Sequence, residues 1–473
     1  MNVDVAIIGA GTAGLAAYRA AKTAGASATL IEGGPYGTTC ARVGCMPSKL
    51  LIAAAEAAHA AELAPRFGVH IEGGIRIDGR EVMARVRSER DRFVDFVLRE
   101  VDRIPEAERF RGYARFENDN TLLVDGGKRI TAKSIVIATG SRATYPESFK
   151  KLGDRLVIND DVFDWTDLPG SVAVIGPGII GLELGQALHR LGVRVAVFGR
   201  GGKVGPIADP QVRACAIETL GGEFTLEPDA HITGMEREGD RVALRRKRAD
   251  GTELTEHFDY VLFATGRAPN VDGIGLENTT ITRDAKGSPV FDASTTQLRA
   301  AGPIFLAGDA SNYMPLLHEA ADEGRIAGEN AARAAAGNPA LCGLRRAPLG
   351  IVFTDPQIAI VGGGWKALEQ GRFAAGQVSF EDQGRSRILL KNHGLLNIYG
   401  DIATGRLLGA EMIGPAAEHI GHLLAWSLQN QLTIGAMLEM PFYHPVIEEG
   451  LRTALRELDG KLRSAKSHAT PAA

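Results

Sequence analysis

A chain of 473 residues has room for about three domains of ordinary size. Its 45% hydrophobic and 23% charged content and net charge of −4 describe a globular protein with no bias toward nucleic acid or an anionic membrane. Four cysteines are too few for a secreted disulfide scaffold, and with no apolar run of membrane-spanning length and no leader-like start the expected location is cytoplasmic.

The first element is the apolar run Val5-Ala6-Ile7-Ile8, as in a buried parallel strand. It runs into Gly9-Ala10-Gly11-Thr12-Ala13-Gly14, then a helical stretch over 15–24 and a second apolar strand ending at Glu32. This is a dinucleotide-binding βαβ unit. Gly9 makes the tight turn, Gly11 admits a pyrophosphate to the backbone, Gly14 lets helix and strand approach, and Glu32 faces a ribose hydroxyl.

Next come Cys40 and Cys45, followed by Pro47 and Lys49. The loop they would close is too short to be a useful staple. The pair is either two unrelated loop thiols or a redox pair. On a regular helix this spacing separates the side chains, so a bond needs a distorted turn, which Gly44 can supply. Helical patterns follow over 50–64 and 80–102, the latter amphipathic with a solvated charged face. Strand-like runs around 113–116 and 121–124 lead to Ser134-Ile135-Val136-Ile137-Ala138-Thr139-Gly140-Ser141, a strand delivering the chain to a nucleotide.

After Pro146 the fingerprint repeats as Val172-Ala173-Val174-Ile175 and Gly176-Pro177-Gly178-Ile179-Ile180-Gly181-Leu182-Glu183. Two such units imply two dinucleotides that must meet. The second strand of the repeat ends not in an acid but in Gly199-Arg200, with Lys203 nearby. Arg200 is either a ligand for a 2′-phosphate, which an acid would repel, or a solvated turn residue. Tyr260 to Gly266 echoes the earlier Ala-Thr-Gly end, and Pro303 to Asp309 is a buried strand ending in Gly-Asp, where Asp309 can bind a sugar-like hydroxyl. An Ala/Gly-rich helix opens at Leu316-Leu317-His318-Glu319, and a third region of strands and helices begins near Pro348. That region holds Tyr443-His444-Pro445-Val446-Ile447-Glu448-Glu449 before its last helix, and a frayed tail is expected from Lys461.

Two fingerprints, a Cys-x4-Cys loop, a Gly-Asp strand end and a late His-Pro-x-x-x-Glu segment together resemble the two-cysteine flavoprotein disulfide reductases, also called pyridine nucleotide-disulfide oxidoreductases. The likeness runs from Val3 to about Leu458 and is strongest to the dihydrolipoamide dehydrogenase branch. It implies an α/β chain with two Rossmann-like dinucleotide-binding domains, one for FAD (1–148 and 270–343) and one for NAD(P) (149–269). An α+β C-terminal dimerisation domain (344–460) and a disordered tail (461–473) would follow. Gly9, Gly11, Gly14 and Glu32 would hold the adenosine end of FAD and Asp309 its ribityl chain. Lys49 would sit beside the flavin ring, paired with Glu183, and Ala114, Thr139, Gly140, Ser141 and Leu317 would add contacts. Gly176, Gly178, Gly181, Glu183 and Gly266 would frame NAD or NADP, with Arg200 at the 2′ position.

The resemblance further implies a homodimer in which His444 and Glu449 reach the other copy's disulfide. There Cys40 exchanges with substrate, Cys45 passes electrons to the flavin, His444 is the base and Glu449 its orienting partner. The implied reaction moves electrons between NAD(P) and a dithiol or disulfide, lipoamide or a lipoyl domain. The alternative is an NADPH-dependent reductase of another low-molecular-weight or protein disulfide. No metal is implied, and Cys215 and Cys342 carry no partner motif. Three departures bear on partner choice: Ala41-Arg42-Val43-Gly44 where the branch carries Leu-Asn-Val-Gly, the Gly199-Arg200 pair, and Tyr443 with Val446-Ile447 around the histidine.

Overall fold

The computed structural model describes residues 1–248 and 250–469. They fall into two units, one made of 1–50, 84–144 and 266–345, the other of 51–83, 145–265 and 346 onward.

In the first unit the apolar strand Asn2–Ile8 lies between Ala28–Glu32 and Lys128–Ile137 and parallel to both, with Ile7 opposite Leu30 and Val136. Covered on both faces, these strands read as unbroken apolar runs. Ile304–Leu306 pairs in parallel with the far side of Lys128–Ile137, and Arg109–Arg111 closes the edge beyond Ala28–Glu32. The hairpin Ala114–Asn118 and Thr121–Val124 continues the sheet antiparallel. Helices Thr12–Thr23 and Leu317–Ala335 cross backbone to backbone. A Cβ on Gly324 or Gly328 would stand 2.2 Å from the carbonyl oxygen of Ala13 or Ala17. The abundance of Gly and Ala in this second helix is therefore a packing requirement.

The second unit repeats the parallel theme. Strands Thr225–Glu227, Arg194–Phe198, Ser171–Ile175, Tyr260–Phe263 and Leu156–Val157 lie side by side in that order. A three-stranded antiparallel sheet, His231–Glu238, Arg241–Lys247 and Glu253–Phe258, follows Thr225–Glu227 in the chain and buries Met235, Val242, Leu244 and Phe258. The C-terminal part is a five-stranded antiparallel sheet in the order Leu349–Val352, Gln357–Gly362, Leu407–Gly414, Leu395–Asp401 and Phe373–Ser379. Helices Ala417–Gln429 and Glu449–Ala469 pack their apolar faces on its core. Of the expected ranges 149–269 and 344–460, residues 149–265 and 346–460 share one unit with 51–83, whereas 266–269 and 344–345 fall in the first unit.

The sequence expectation of a frayed tail from Lys461 is corrected. The last helix runs to Ala469 because Leu451, Leu455, Leu458 and Leu462 form one buried stripe, and Lys461 bonds Glu457 and the Ala375 carbonyl. Residues 470–473 of that expected tail lie outside the described residues.

Candidate active site

The cysteine loop is a short helix, Thr39–Val43, set against a long one, Cys45–Leu63. Thr38, at φ +59°, caps the short helix by accepting the Ala41 N–H on its side-chain oxygen at 3.3 Å. Gly44, at φ −126° and ψ −117°, breaks the two helices apart. A Cβ there would stand 3.1 Å from the Thr39 carbonyl oxygen and 3.2 Å from Cys40 Cα. The distortion that the cysteine spacing demands therefore falls at Gly44.

The side chains of Cys40 and Cys45 are hydrogen-bonded to each other. The Cys45 side chain, then burial, raise the Cys40 pKa well above its ordinary value, and the Cys45 and Met46 backbone N–H groups donating to the sulfur offset this only in part. Cys40 therefore holds its proton beside Cys45, and its use as a nucleophile requires a base. On the first turn of the long helix Ser48 Oγ donates to the Cys45 carbonyl at 3.0 Å, and Lys49 Nζ donates to Ser48 Oγ at 3.4 Å.

Gly9 adopts φ +107°, and a Cβ on it would meet the Ala138 carbonyl oxygen at 2.3 Å. A Cβ on Gly14 would lie 1.8 Å from the Gly9 carbonyl oxygen, whereas beside Gly11 nothing lies within 4 Å. The N-terminus of helix Thr12–Thr23 has no side-chain cap, so its first N–H groups have no side-chain acceptor at the cap. Glu32 accepts the Ala10 and Gly34 N–H groups, each at 2.7 Å.

Along the same side of the first unit, Thr139 Oγ1 is buried with no partner among the described residues. Ser141 Oγ donates to Asp309 Oδ2 at 2.7 Å, and Gly140 sits between them at φ +68°. An uncapped helix end, open space at Gly11, an orphaned hydroxyl and a carboxylate at a strand end fit the pyrophosphate and polyol of FAD. Leu317 opens its helix and is exposed, whereas Ala114 packs in the core with Ile8, Ile31 and Phe116.

Residues that the sequence did not single out support this wall. Arg267 Nε donates to Ser141 Oγ at 2.8 Å, and Asn270 Nδ2 donates to the Thr139 carbonyl at 3.1 Å. Buried Glu323 accepts the Gly308 N–H at 2.8 Å and is itself met by Arg345 at 2.9 Å. Burial raises the Glu323 pKa despite Arg345. The Thr-Gly-Arg string at Arg267 was a usable signal, but nothing local pointed to Arg345.

In the second unit Gly176 repeats Gly9, with φ +109° and a would-be Cβ 2.5 Å from the Ala264 carbonyl oxygen. Gly181 repeats Gly14 at 1.9 Å from the Gly176 oxygen, and Gly178 leaves the N-terminus of helix Ile179–Arg190 uncapped. Buried Glu183 accepts the Phe353 N–H at 2.9 Å. A Cβ on Gly199 would stand 2.6 Å from Pro177 Cγ and 2.6 Å from the Pro228 carbonyl oxygen, so no acid fits there as packed. Arg200 and Lys203 are exposed and make no hydrogen bond or ion pair among the described residues. Gly266, expected beside this turn, falls in the first unit, where its carbonyl accepts the Thr144 N–H at 3.0 Å.

His444 Nδ1 lies 3.1 Å from each Glu449 carboxylate oxygen, and Glu449 also accepts the Val446 N–H at 3.3 Å. The hydrogen bond to His444 is the main cause holding Glu449 below its usual range. The imidazole is open, with its side chain 80% exposed beside the equally open Tyr443. A histidine fixed through Nδ1 presents Nε2 as a proton acceptor.

The family model described as pyridine nucleotide-disulphide oxidoreductase matches residues 3–324, and that of the family's dimerisation domain matches 349–455. The chain is 30% identical over 480 residues to a dihydrolipoyl dehydrogenase of Haloferax volcanii, covering 97% of each. It is 31% identical over 491 residues to dihydrolipoyl dehydrogenase 3 of Pseudomonas aeruginosa, covering 97% of this chain and 98% of that one. Among solved structures, LpdA from Mycobacterium tuberculosis superposes with a TM-score of 0.81 over 96% of this chain and 100% of that one, at 24% identity. That likeness speaks to fold alone. Among the described residues no helix is long and apolar enough to cross a membrane.

Proposed function

The chain belongs to the pyridine nucleotide-disulphide oxidoreductases, FAD-dependent enzymes that use NAD(P), and on that footing we propose that it is a homodimeric dithiol–disulfide oxidoreductase of the dihydrolipoamide dehydrogenase type. The observation that carries the reading is the meeting of Cys40 and Cys45 across the break at Gly44. Dihydrolipoyl dehydrogenase relatives of matching length support the substrate class.

With the two cysteines oxidised, His444 of the second copy takes the proton of the first substrate thiol. The resulting thiolate attacks Cys40 Sγ, the Cys40–Cys45 bond breaks, and Cys45 leaves as a thiolate. The second substrate thiol then displaces Cys40 as its proton passes to His444, whose earlier proton goes to Cys40. The substrate departs as a disulfide, having given up two electrons and two protons. The end state, a protonated Cys40 beside Cys45, matches the raised pKa of Cys40. FAD supplies a two-electron relay between the dithiol and NAD(P). For that group Gly9, Gly11, Gly14, Glu32, Thr139, Ser141 and Asp309 provide the seat and Lys49 a nearby positive charge. Glu449 keeps the His444 ring in the tautomer that accepts a proton.

The second reading is an NADPH-dependent reductase of another disulfide. It is favoured by the unpartnered Arg200 and by the exclusion of an acid at Gly199. Steady-state reduction of lipoamide with NADH and with NADPH, run side by side, tests both. Fast turnover with NADH supports the first reading, and an NADPH preference moves it toward the second. Failure to reduce any disulfide with either cofactor overturns both.

A further inference from the structure

Arg42 is the residue between the two cysteines that thiol chemistry does not require. It lies two positions after Cys40 on the short helix Thr39–Val43 and three before Cys45. Side chains two apart on a helix leave from different faces, so the Arg42 stem departs from the sulfur pair. It runs over Gly37, whose φ is +112° and whose would-be Cβ would stand 3.1 Å from Arg42 Cδ, 3.2 Å from its Cγ and 2.9 Å from Val94 Cγ1. The stem is thereby seated while the residue stays half-buried.

The guanidinium at the end of that stem makes no hydrogen bond and no ion pair among the described residues. The partly or fully buried Arg190, Arg246 and Arg345 each lie against two carboxylates. The causes that raise Cys40 are Cys45 and burial, and Arg42 is not among those that lower it. The cation is therefore not what sets the Cys40 thiol. It belongs to the segment that joins the two cysteines, with its charge uncommitted among the described residues.

We propose that Arg42 selects disulfides bearing a carboxylate or other anionic group beside the scissile bond. The inference rests on the disulfide-exchange reading above and narrows its substrate class. A guanidinium offers a carboxylate a forked pair of N–H donors. Even at about 10 Å a unit charge steers an anion by a factor of about two to ten, depending on the local dielectric.

The first test uses the FAD-loaded dimer and three disulfides of similar size: 3,3′-dithiodipropionate, 2-hydroxyethyl disulfide and cystamine, which carry −2, 0 and +2. At low ionic strength kcat/KM should fall in that order. Arg42→Met should collapse the ratio of the first to the last by about tenfold, and Arg42→Lys should keep part of it. An unchanged ratio in Arg42→Met overturns the proposal, and no reduction of these or of lipoamide by the parent enzyme overturns the exchange reading with it. The second test needs no turnover. In the reduced protein, the alkylation rate by iodoacetate relative to iodoacetamide should drop about fivefold in Arg42→Met and converge with the parent in high salt. Equal ratios in parent and variant at low salt would sink the assignment even if the enzyme proves to be a disulfide oxidoreductase.

Discussion

The two glycine turns are built alike up to one atom. Both pack a left-handed glycine on an Ala-Thr-Gly strand end, and both bring a third glycine against the carbonyl of the first. At the second position they part. Ala10 has an N–H, and Glu32 accepts it together with that of Gly34. Pro177 has no N–H to give, and its ring fills the space that a side chain at position 199 would need. Glu32 is thus a clasp on its own turn as well as a candidate ribose ligand. Where the clasp has nothing to hold, the acid is gone and Arg200 stands free beside the gap. The alanine–glutamate and proline–glycine pairs are two matched solutions, so neither residue of a pair should tolerate exchange alone.

The strongest way to probe the shared part is a methyl group on the third glycine. Gly14→Ala and Gly181→Ala each place a Cβ inside van der Waals contact with a backbone oxygen and should cost about 3 kcal/mol or more. Gly14→Ala should be purified with little flavin, read from its visible absorbance, whereas Gly181→Ala should retain flavin and lose NAD(P) binding. To test the part that differs, Gly199→Glu should destabilise by about 2 kcal/mol in chemical denaturation. Adding Pro177→Ala should recover about half of that loss, the Pro228 carbonyl oxygen still standing 2.6 Å from the new Cβ, and favour NADH. If the double variant is no better than the single, the pairing of these residues is refuted.

Glu32→Gln should cost about 1–2 kcal/mol, because an amide leaves one of the two N–H groups facing a donor. Its flavin should dissociate faster, as followed by the rise in fluorescence. The smallest change in stability, within about 0.5 kcal/mol, belongs to exposed Arg200→Ala. Its KM for NADPH relative to NADH should nonetheless rise about tenfold if the guanidinium reads a 2′-phosphate. A constant ratio would make Arg200 a turn residue.

The parts legible in the sequence are those with a local cause. Gly9 and Gly176 announce themselves because only glycine is at ease at their φ angles. The parallel strands are apolar throughout, and Cys40, Gly44 and Cys45 fall within six residues. What stayed hidden depends on distant partners. Strands His231–Glu238 and Arg241–Lys247 are full of charge because one face is solvated, which masks the buried Met235, Val242 and Leu244. The tie from Arg345 to Glu323, and through it to the loop before Asp309, joins segments with no common motif. The vacancy at Gly199 was visible as a missing acid, but its cause, the ring of Pro177 together with the Pro228 carbonyl, required coordinates.

Gly324 and Gly328 carry a last consequence. With the carbonyls of Ala13 and Ala17 standing where side chains would be, helix Thr12–Thr23 has no slack against its neighbour. It can neither slide along its axis nor roll without collision. The end of that helix which is proposed to receive a phosphate is therefore a rigid anvil, shaped while the chain folds and not by what later lands on it. Loading the site then asks the protein for side-chain adjustment alone: a socket, not a glove.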